Sequence, residues 1–328
     1  MKMPITRIPT LDFTFSSNRK VNLPATLVSV VRRIPAYRRA LQTIKATVRE
    51  TEPDVILNFF EAVTGLYALT TRKRPPVVAV AHQFMTGHPD YVRAPGLRLQ
   101  QWCMKRLVRL VGSRSARVAL SLYPAQDLPH RNTKICPPIL RRQLFEMQPN
   151  PKGNFVLAYL LNHGYAEQII EWHKRNPQTV LHCFYDKPDA PPEFKFDDTL
   201  TFHRLDGEKF LRMMAECKYV ACTAGFESLG EAAYLGKPLF LVPVENHVEQ
   251  TVNAVDAVKI GLGVADTSFN LDRISELPDT LANDGYRAWL AKADSILLQT
   301  LEHAVNPVMA EDHYWDAEEP DAVSVDGF

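Results

Sequence analysis

The chain is 328 residues long, which is enough for two domains that each bury their own core. Its composition, 46% hydrophobic and 23% charged, is that of an ordinary globular protein. No run approaches the roughly 18 apolar residues of a membrane-spanning helix, and no N-terminal apolar segment resembles a signal peptide. We therefore expect a cytoplasmic protein.

The net charge of +1 hides a difference between the two halves of the chain. Residues 1–150 contain 24 Lys and Arg against 8 Asp and Glu, whereas residues 151–328 contain 14 against 29. This split predicts two domains with different partners, of which the basic one meets an anionic partner. Because no aromatic platform or known nucleic-acid motif accompanies the basic residues, we do not expect that partner to be nucleic acid.

The first half is predicted to alternate between helices and strands. In order, we expect a helix over 25–50, strands over 54–59 and 77–81 with a helix between them, a helix over 96–113, and a strand over 116–122. His82 directly follows the second of these strands. The segment 149–151, with two prolines, is the best candidate for an interdomain linker.

The second half shows a more regular alternation. We expect strands over 154–160, 179–185, 200–203, 219–222 and 263–265, and helices over 165–175, 208–216, 226–235 and 284–304. Strands and helices of these lengths predict a parallel, doubly wound sheet. Ligands of such sheets bind at the carboxyl ends of the strands, where the turns 162–164 and 224–228 are placed.

Five cysteines are scattered along the chain without a C-x-x-C pair, and the histidines form no cluster at metal-ligand spacing. We predict buried thiols in a reducing compartment and no metal site.

Residues 219–254 carry the strongest functional signal. The strand 219–222 is followed by Gly225, which is expected to allow a sharp turn and the close approach of a ligand. A helix then begins at Phe226 and ends at Gly236-Lys237-Pro238. A helix that opens directly after a strand presents free N–H groups and the positive end of its dipole, which suits a diphosphate.

This segment resembles the nucleotide-sugar signature of the GT-B glycosyltransferases, in the branch of the peptidoglycan N-acetylglucosaminyltransferase and the UDP-glucuronosyltransferases. The matching residues are, in order, Ser228, Glu231, Gly236, Pro238, Pro243, Gln250, Asn253 and Ala254. An ordinary strand–helix–strand unit would explain the glycines but not the polar residues at fixed offsets.

The resemblance implies an α/β fold of two Rossmann-like, doubly wound domains that face a cleft. The acceptor-binding domain would comprise residues 1–150 and the nucleotide-sugar-binding domain residues 151–304, followed by an acidic, partly disordered tail over 305–328. The first βαβ element of the family, with its glycine-rich, His-containing loop, has no counterpart near the start of this sequence. We therefore expect a truncated gene model or a remodelled N-terminus, since a shortened sheet would expose apolar edges.

By the same resemblance, backbone N–H groups of the turn 224–228 bind the leaving diphosphate, and the turn 162–164 lies opposite. Glu231 would accept hydrogen bonds from ribose, and Glu249 and Gln250 would bind the sugar. Because a helix end meets the charge, neither a metal nor another cofactor is required, and the Asp-x-Asp triplet of metal-dependent enzymes is absent from the sequence. The implied donor-binding residues are Asn162, His163, Gly164, Ala224, Gly225, Phe226, Glu227, Ser228, Glu231, Glu249 and Gln250.

The retaining branch of the fold carries two glutamates eight positions apart, the second of which aligns with Glu231. Thr223 occupies the first of these positions, so the resemblance implies inversion. Inversion needs a base near the acceptor hydroxyl. The family's usual histidine belongs to the missing loop, so His82 ranks first, ahead of Glu61, His88 and Asp90. Each of these residues also has an ordinary structural or surface explanation.

The resemblance predicts a hexosyltransferase that uses a nucleoside diphosphate sugar, UDP-linked, and acts on a glycolipid or other cell-envelope acceptor. The helix over 96–113 mixes arginines with apolar residues and either lies on the inner face of an anionic membrane or turns its apolar stripe to the core. Two alternatives stay open: a non-catalytic protein that binds nucleotide sugars, and a sugar-nucleotide epimerase of the same fold.

Overall fold

The computed structural model describes residues 4–11, 15–16, 20–160 and 163–306. The strands are β1 (Phe15–Ser16), β2 (Lys20–Val21), β3 (Ile56–Asn58), β4 (Val77–Ala81), β5 (Ala116–Leu120), β6 (Thr133–Cys136), β7 (Phe155–Leu160), β8 (Val180–Tyr185), β9 (Glu193–Lys195), β10 (Leu200–Arg204), β11 (Tyr219–Cys222), β12 (Leu239–Leu241) and β13 (Gly263–Ala265). The helices are α1 (Leu23–Arg32), α2 (Ile34–Thr51), α3 (Ala62–Thr70), α4 (Arg98–Val111), α5 (Arg142–Phe145), α6 (Ala166–Arg175), α7 (Gly207–Glu216), α8 (Phe226–Tyr234), α9 (Val248–Lys259), α10 (Asp284–Leu290) and α11 (Ala293–Val305).

The first half of the chain forms a parallel sheet in the order β3-β4-β5-β6. Its central strand β4 reads Val-Val-Ala-Val-Ala and is buried along its whole length, as expected for a strand covered on both faces. A 3-10 helix, His82–Gly87, follows β4 directly and packs closely against β5. The β1–β2 pair is a separate antiparallel ribbon. Of the N-terminal stretch expected to be remodelled, residues 1–3, 12–14 and 17–19 lie outside the described ranges.

The second half forms a sheet in the order β13-β12-β11-β7-β8-β10-β9, parallel except for the edge strand β9. The chain builds outward from β7 through β8 and β10, and then returns to place β11 on the other side of β7. The strand order therefore reverses between β7 and β11. This is the topological switch point, where open α/β sheets bind their ligands.

Two predicted helices are each divided in the structure. The predicted helix 25–50 is interrupted at Arg33, because Pro35 lacks the N–H that a continuous helix would need and instead occupies the first turn of α2. The predicted helix 284–304 is divided between α10 and α11.

The last helix crosses back to the first sheet. Its apolar side, with Ile296, Leu301 and Ala304, packs against Val78 and Val118. Trp289 of α10 also reaches the first half of the chain, and its indole N–H donates to the Ser121 carbonyl at 2.9 Å. The sequence did not indicate this packing, and the domain boundaries at 150/151 and 304 stay predictions. Residues 307–328 of the acidic tail lie outside the described ranges.

Contacts between α4 and α9 join the two Rossmann-like domains beside the cleft. Met104 of α4 packs with Val248 and Val252 of α9. Tyr123 donates to Oδ1 of Asp256 at 3.2 Å, and burial raises the pKa of Asp256 to about 6. These contacts fix the position of α9, which carries Glu249 toward the first domain.

Candidate active site

The turn after β11 differs in one detail from the prediction. Ala224, not Gly225, takes the left-handed conformation, with φ +57°. Gly225 has φ −69° and ψ 133°, which any L residue adopts, so the expectation that its flexibility makes the turn is wrong. The Ala224 carbonyl accepts a hydrogen bond from Nδ2 of buried Asn253 at 3.0 Å, which holds this conformation in place.

The absence of a side chain at Gly225 leaves open space at the N-terminus of α8. It is the N-cap of α8, and no side chain caps this helix end. A Cβ added at Gly225 would meet no atom within 4 Å. The first-turn amides of Phe226, Glu227 and Ser228 therefore begin the helix beside open space, an arrangement that suits an anion.

The two predicted donor turns are neighbours in the sheet. β11 pairs with β7 so that Cys222 lies opposite Tyr159, and the carboxyl ends of the two strands are therefore adjacent. His163 and Gly164 belong to the 3-10 helix His163–Tyr165 that opens α6. Asn162 lies outside the described residues. The paired carboxyl ends of β7 and β11 mark the switch point of the sheet.

His82 reaches this helix end from the other domain. Its ring stacks on that of Phe226, with centroids 4.4 Å apart and planes 9° from parallel. Its Nδ1 lies 4.0 Å from Oε1 of Glu249. Burial lowers the pKa of His82, and this effect outweighs the opposing influence of Glu249, Glu227 and Asn253. A neutral imidazole, able to accept a proton, therefore lies beside the start of α8.

The other candidate bases have structural partners. Glu61 caps α3 by accepting the Thr64 N–H at 2.7 Å. His88 uses both ring nitrogens, Nε2 on the Gln126 carbonyl at 3.0 Å and Nδ1 with the Asp90 N–H at 3.1 Å. The Asp90 side chain is 65% exposed, and its Oδ2 lies 3.8 Å from Nδ1 of His88. These contacts leave His82 as the best-placed candidate.

Glu231 does not lie open in this structure. Its buried carboxylate accepts two hydrogen bonds from Arg141, Nε to Oε1 at 2.6 Å and Nη2 to Oε2 at 2.8 Å. Arg141, itself 40% exposed, also donates to the Gly207 carbonyl. A ribose can reach the Glu231 oxygens only where this bidentate pair opens or shares its acceptors.

Glu249 and Gln250 occupy different environments at the start of α9. The Gln250 side chain is buried, and its Oε1 accepts the Val244 N–H at 2.9 Å, so it holds the loop between β12 and α9. Glu249 is 24% exposed and faces His82. Of the two predicted sugar ligands, Glu249 is the one that lies in the cleft.

Comparison with known proteins identifies the family. The family model described as "Glycosyl transferase family 1" matches residues 1–281. The chain belongs to this glycosyltransferase family. No curated protein matches it significantly.

Solved structures show that the enzyme has the GT-B fold. UGT2 of Phytolacca americana, in complex with UDP-2fluoro-glucose and pterostilbene, is 13% identical, with 85% of this chain and 78% of that chain covered at a TM-score of 0.51. The glycotransferase of kitacinnamycin is 15% identical, with 86% of this chain and 79% of that chain covered at a TM-score of 0.50. MurG of Acinetobacter baumannii is 17% identical, with 92% of this chain and 85% of that chain covered at a TM-score of 0.48. The family model and the first two of these structures confirm the predicted fold class and the resemblance to GT-B glycosyltransferases.

The described residues of the glycosyltransferase meet neither the requirements of a membrane-spanning helix nor those of a three-ligand metal site. Among the described helices, none combines the length and apolar character that crossing a bilayer requires. In the same ranges, no three His, Cys, Asp or Glu side chains come together in a way that would hold a metal ion.

The pairing of Arg141 with Glu231 gives a prediction that separates folding from donor binding. Arg141→Ala leaves a buried carboxylate without its partner, so we expect it to lower the free energy of unfolding by about 3 kcal/mol. Glu231→Ala should also lower the free energy of unfolding. If Glu231 binds ribose, Glu231→Ala should weaken UDP binding and Arg141→Ala should not. Thermal unfolding and UDP titration of both variants check this. Equal UDP affinity in Glu231→Ala and the unaltered enzyme would remove Glu231 from the donor site.

Proposed function

We propose that the protein is an inverting, metal-independent glycosyltransferase that moves a sugar from a UDP-linked donor to a hydroxyl of a lipid or other cell-envelope acceptor. One observation carries the proposal: the uncapped, open N-terminus of α8 meets neutral His82 of the opposite domain. The N-terminus of α8 is suited to bind the leaving diphosphate, and His82 is suited to accept the proton of the attacking hydroxyl.

The leaving diphosphate gains negative charge as its bond to the sugar breaks. Fixed amide donors at Phe226, Glu227 and Ser228 then interact more strongly with the transition state than with the bound donor, which is the requirement for catalysis. The positive end of the α8 dipole adds to this effect. These groups take the part that a divalent cation plays in metal-dependent transfer.

The acceptor hydroxyl attacks the anomeric carbon as its proton moves to His82. A new bond forms from the acceptor oxygen to the anomeric carbon, and the bond from that carbon to the β-phosphate oxygen breaks, so that the nucleoside diphosphate leaves and the configuration inverts. The carboxylate of Glu249, 4.0 Å from His82 Nδ1, stabilises the imidazolium that results.

A screen of nucleotides tests this function. We expect UDP and UDP-sugars to raise the unfolding temperature more than other nucleoside diphosphates, because a ligand of the folded state stabilises it. Slow hydrolysis of a UDP-sugar should persist in EDTA. UDP-sugar binding with no hydrolysis or transfer would select the non-catalytic alternative. Conversion of the UDP-sugar to its epimer without any acceptor would select the epimerase. Absence of any nucleotide binding would contradict all three.

A membrane-bound acceptor is supported by the outer surface of α4. The inner face of this helix packs Met104 and Val111 into the protein, as one of the two sequence interpretations expects. Leu99 and Trp102, however, are 60% and 55% exposed, and the Arg106 guanidinium lies 5.2 Å above the Trp102 ring. Exposed apolar side chains among arginines are typical of a helix that docks on anionic lipid.

Sedimentation with vesicles checks the α4 surface. The enzyme should bind phosphatidylglycerol vesicles more tightly than phosphatidylcholine vesicles, and Trp102→Ser should reduce that binding about tenfold at unchanged unfolding temperature. If Trp102→Ser bound phosphatidylglycerol vesicles as tightly as the unaltered enzyme does, α4 would not be the membrane contact.

A further inference from the structure

A cavity of about 420 Å³ opens beside His82, on the side of the first domain. Its walls come from the 3-10 helix His82–Gly87, from α4, and from the first turn of α9 through Glu249. The cavity thus begins at the candidate base and continues away from the donor turn. A substrate in it would present one end to His82.

The cavity extends from the carboxyl end of β4 toward the beginnings of β5 and β6. Arg117 of β5 lies opposite Ala79 and beside Thr133 of β6. His82 is three residues beyond Ala79, so at about 3.3 Å per residue the Arg117 end lies roughly 10 Å from the His82 end. The site is therefore elongated, with its two ends chemically different.

The lining of the cavity is strongly cationic. Among the described residues that line it, Glu249 is the one carboxylate, and it lies at the His82 end. Five cations line the same cavity: Arg93, Lys105, Arg109, Arg117 and Arg131. Like charges gathered in a concave surface repel one another and concentrate an anionic ligand.

Two of these cations are anchored on backbone carbonyl oxygens at the cavity wall. Arg117 donates Nε to the Gly112 carbonyl at 3.1 Å, and Arg131 donates Nη1 to the Gly87 carbonyl at 3.0 Å, which positions each guanidinium on a backbone oxygen. In the described ranges no carboxylate forms an ion pair with Arg93 or Lys105. Guanidinium groups held in this way match the geometry of phosphate oxygens.

We propose that this cavity is the acceptor site and that the acceptor carries a phosphate group, held by the cations of the cavity, with its reacting hydroxyl at His82. The proposal rests on the glycosyl-transfer function proposed above and names the substrate class for it. Five of the basic residues that give the first half of the chain its positive charge lie at this one cavity.

Matched pairs of probes test the phosphate requirement. We would titrate glycerol 3-phosphate, glycerol, dihexanoyl phosphatidic acid and dihexanoylglycerol into the full-length enzyme saturated with UDP, so that the donor site is already filled. At least one phosphate-bearing probe should bind at least about tenfold more tightly than its neutral counterpart. Binding of glycerol 3-phosphate supports a water-soluble phosphorylated acceptor, and binding of the phosphatidic acid alone supports a lipid phosphate.

Charge reversal locates the binding in the cavity. Lys105→Glu and Arg93→Glu, both at exposed positions of the cavity wall, should each reduce binding of the phosphate probe about tenfold or more at unchanged unfolding temperature and UDP affinity. Lys73→Glu, an exposed lysine outside the cavity with the same change of charge, is the control and should bind as the unaltered enzyme does.

Two results would overturn the inference: phosphate probes that bind no better than the neutral ones, or equal losses in Lys105→Glu and Lys73→Glu. Retained UDP binding in those experiments would leave the proposed function intact. Failure of UDP itself to bind would instead refute the proposed function.

Discussion

Gly225→Val is expected to abolish UDP binding while leaving the fold intact. The backbone at Gly225 has angles that valine favours, and a Cβ there meets no protein atom within 4 Å, so the variant should unfold at nearly the same temperature. The same side chain would fill the space over the first amides of α8, where the diphosphate is proposed to lie. We expect the dissociation constant of UDP to rise at least 100-fold, or about 3 kcal/mol.

Calorimetric titration of UDP, paired with thermal unfolding, measures this effect. Gly225→Ala adds only a methyl group and should give a smaller loss, so that the two variants form a graded series. Tight UDP binding by the valine variant would place the diphosphate elsewhere. A large drop in its unfolding temperature would mean that Gly225 serves the fold and not the ligand.

His82→Phe is expected to lower the rate of transfer by about 10² to 10⁴-fold, the range typical of a lost general base. Phenylalanine keeps an aromatic ring to stack on Phe226, so stability and UDP affinity should change little. The measurement is kcat for transfer, or for donor hydrolysis before the acceptor is known, beside UDP titration. Retention of full activity would exclude His82 as the base.

The pH dependence of the same reaction gives an independent readout. Because burial lowers the pKa of His82, its neutral form should persist below the usual value of 6.5, and the rate should hold there before falling as the imidazole is protonated. Protonation is easier in the unfolded chain, so this residue also makes stability fall as the pH drops below 6.5. In His82→Phe, the fall in rate at low pH that protonation of His82 causes should be absent.

Much of the second domain is readable in the sequence because its strands are short apolar runs bounded by glycines, prolines and polar residues. Tyr219–Cys222 is predicted to the residue, and α8 to within one residue. Weaker patterns are lost: β6 contains Lys134 in only four residues, and β9 is an exposed edge strand whose charged ends resemble a loop. Only the sheet neighbours of such segments give them their structure.

The site is predictable where it depends on local sequence and not where it depends on distant pairing. The turn after β11 follows from strand, glycine and helix within ten residues, although the left-handed residue is Ala224 and not its neighbour. Arg141 and Glu231 are 90 positions apart, and nothing in either local pattern indicates their bidentate pair. The cationic cavity likewise combines separate segments of the first domain with the start of α9, so only the total excess of basic residues was visible beforehand.

A crystal structure of the complex with UDP would show where the diphosphate binds. We expect β-phosphate oxygens within about 3 Å of the amide nitrogens at the start of α8, among Phe226, Glu227 and Ser228, with His82 on the other side of the cleft. A diphosphate bound instead by the arginines of the first-domain cavity, with protein side chains over Gly225, would contradict it.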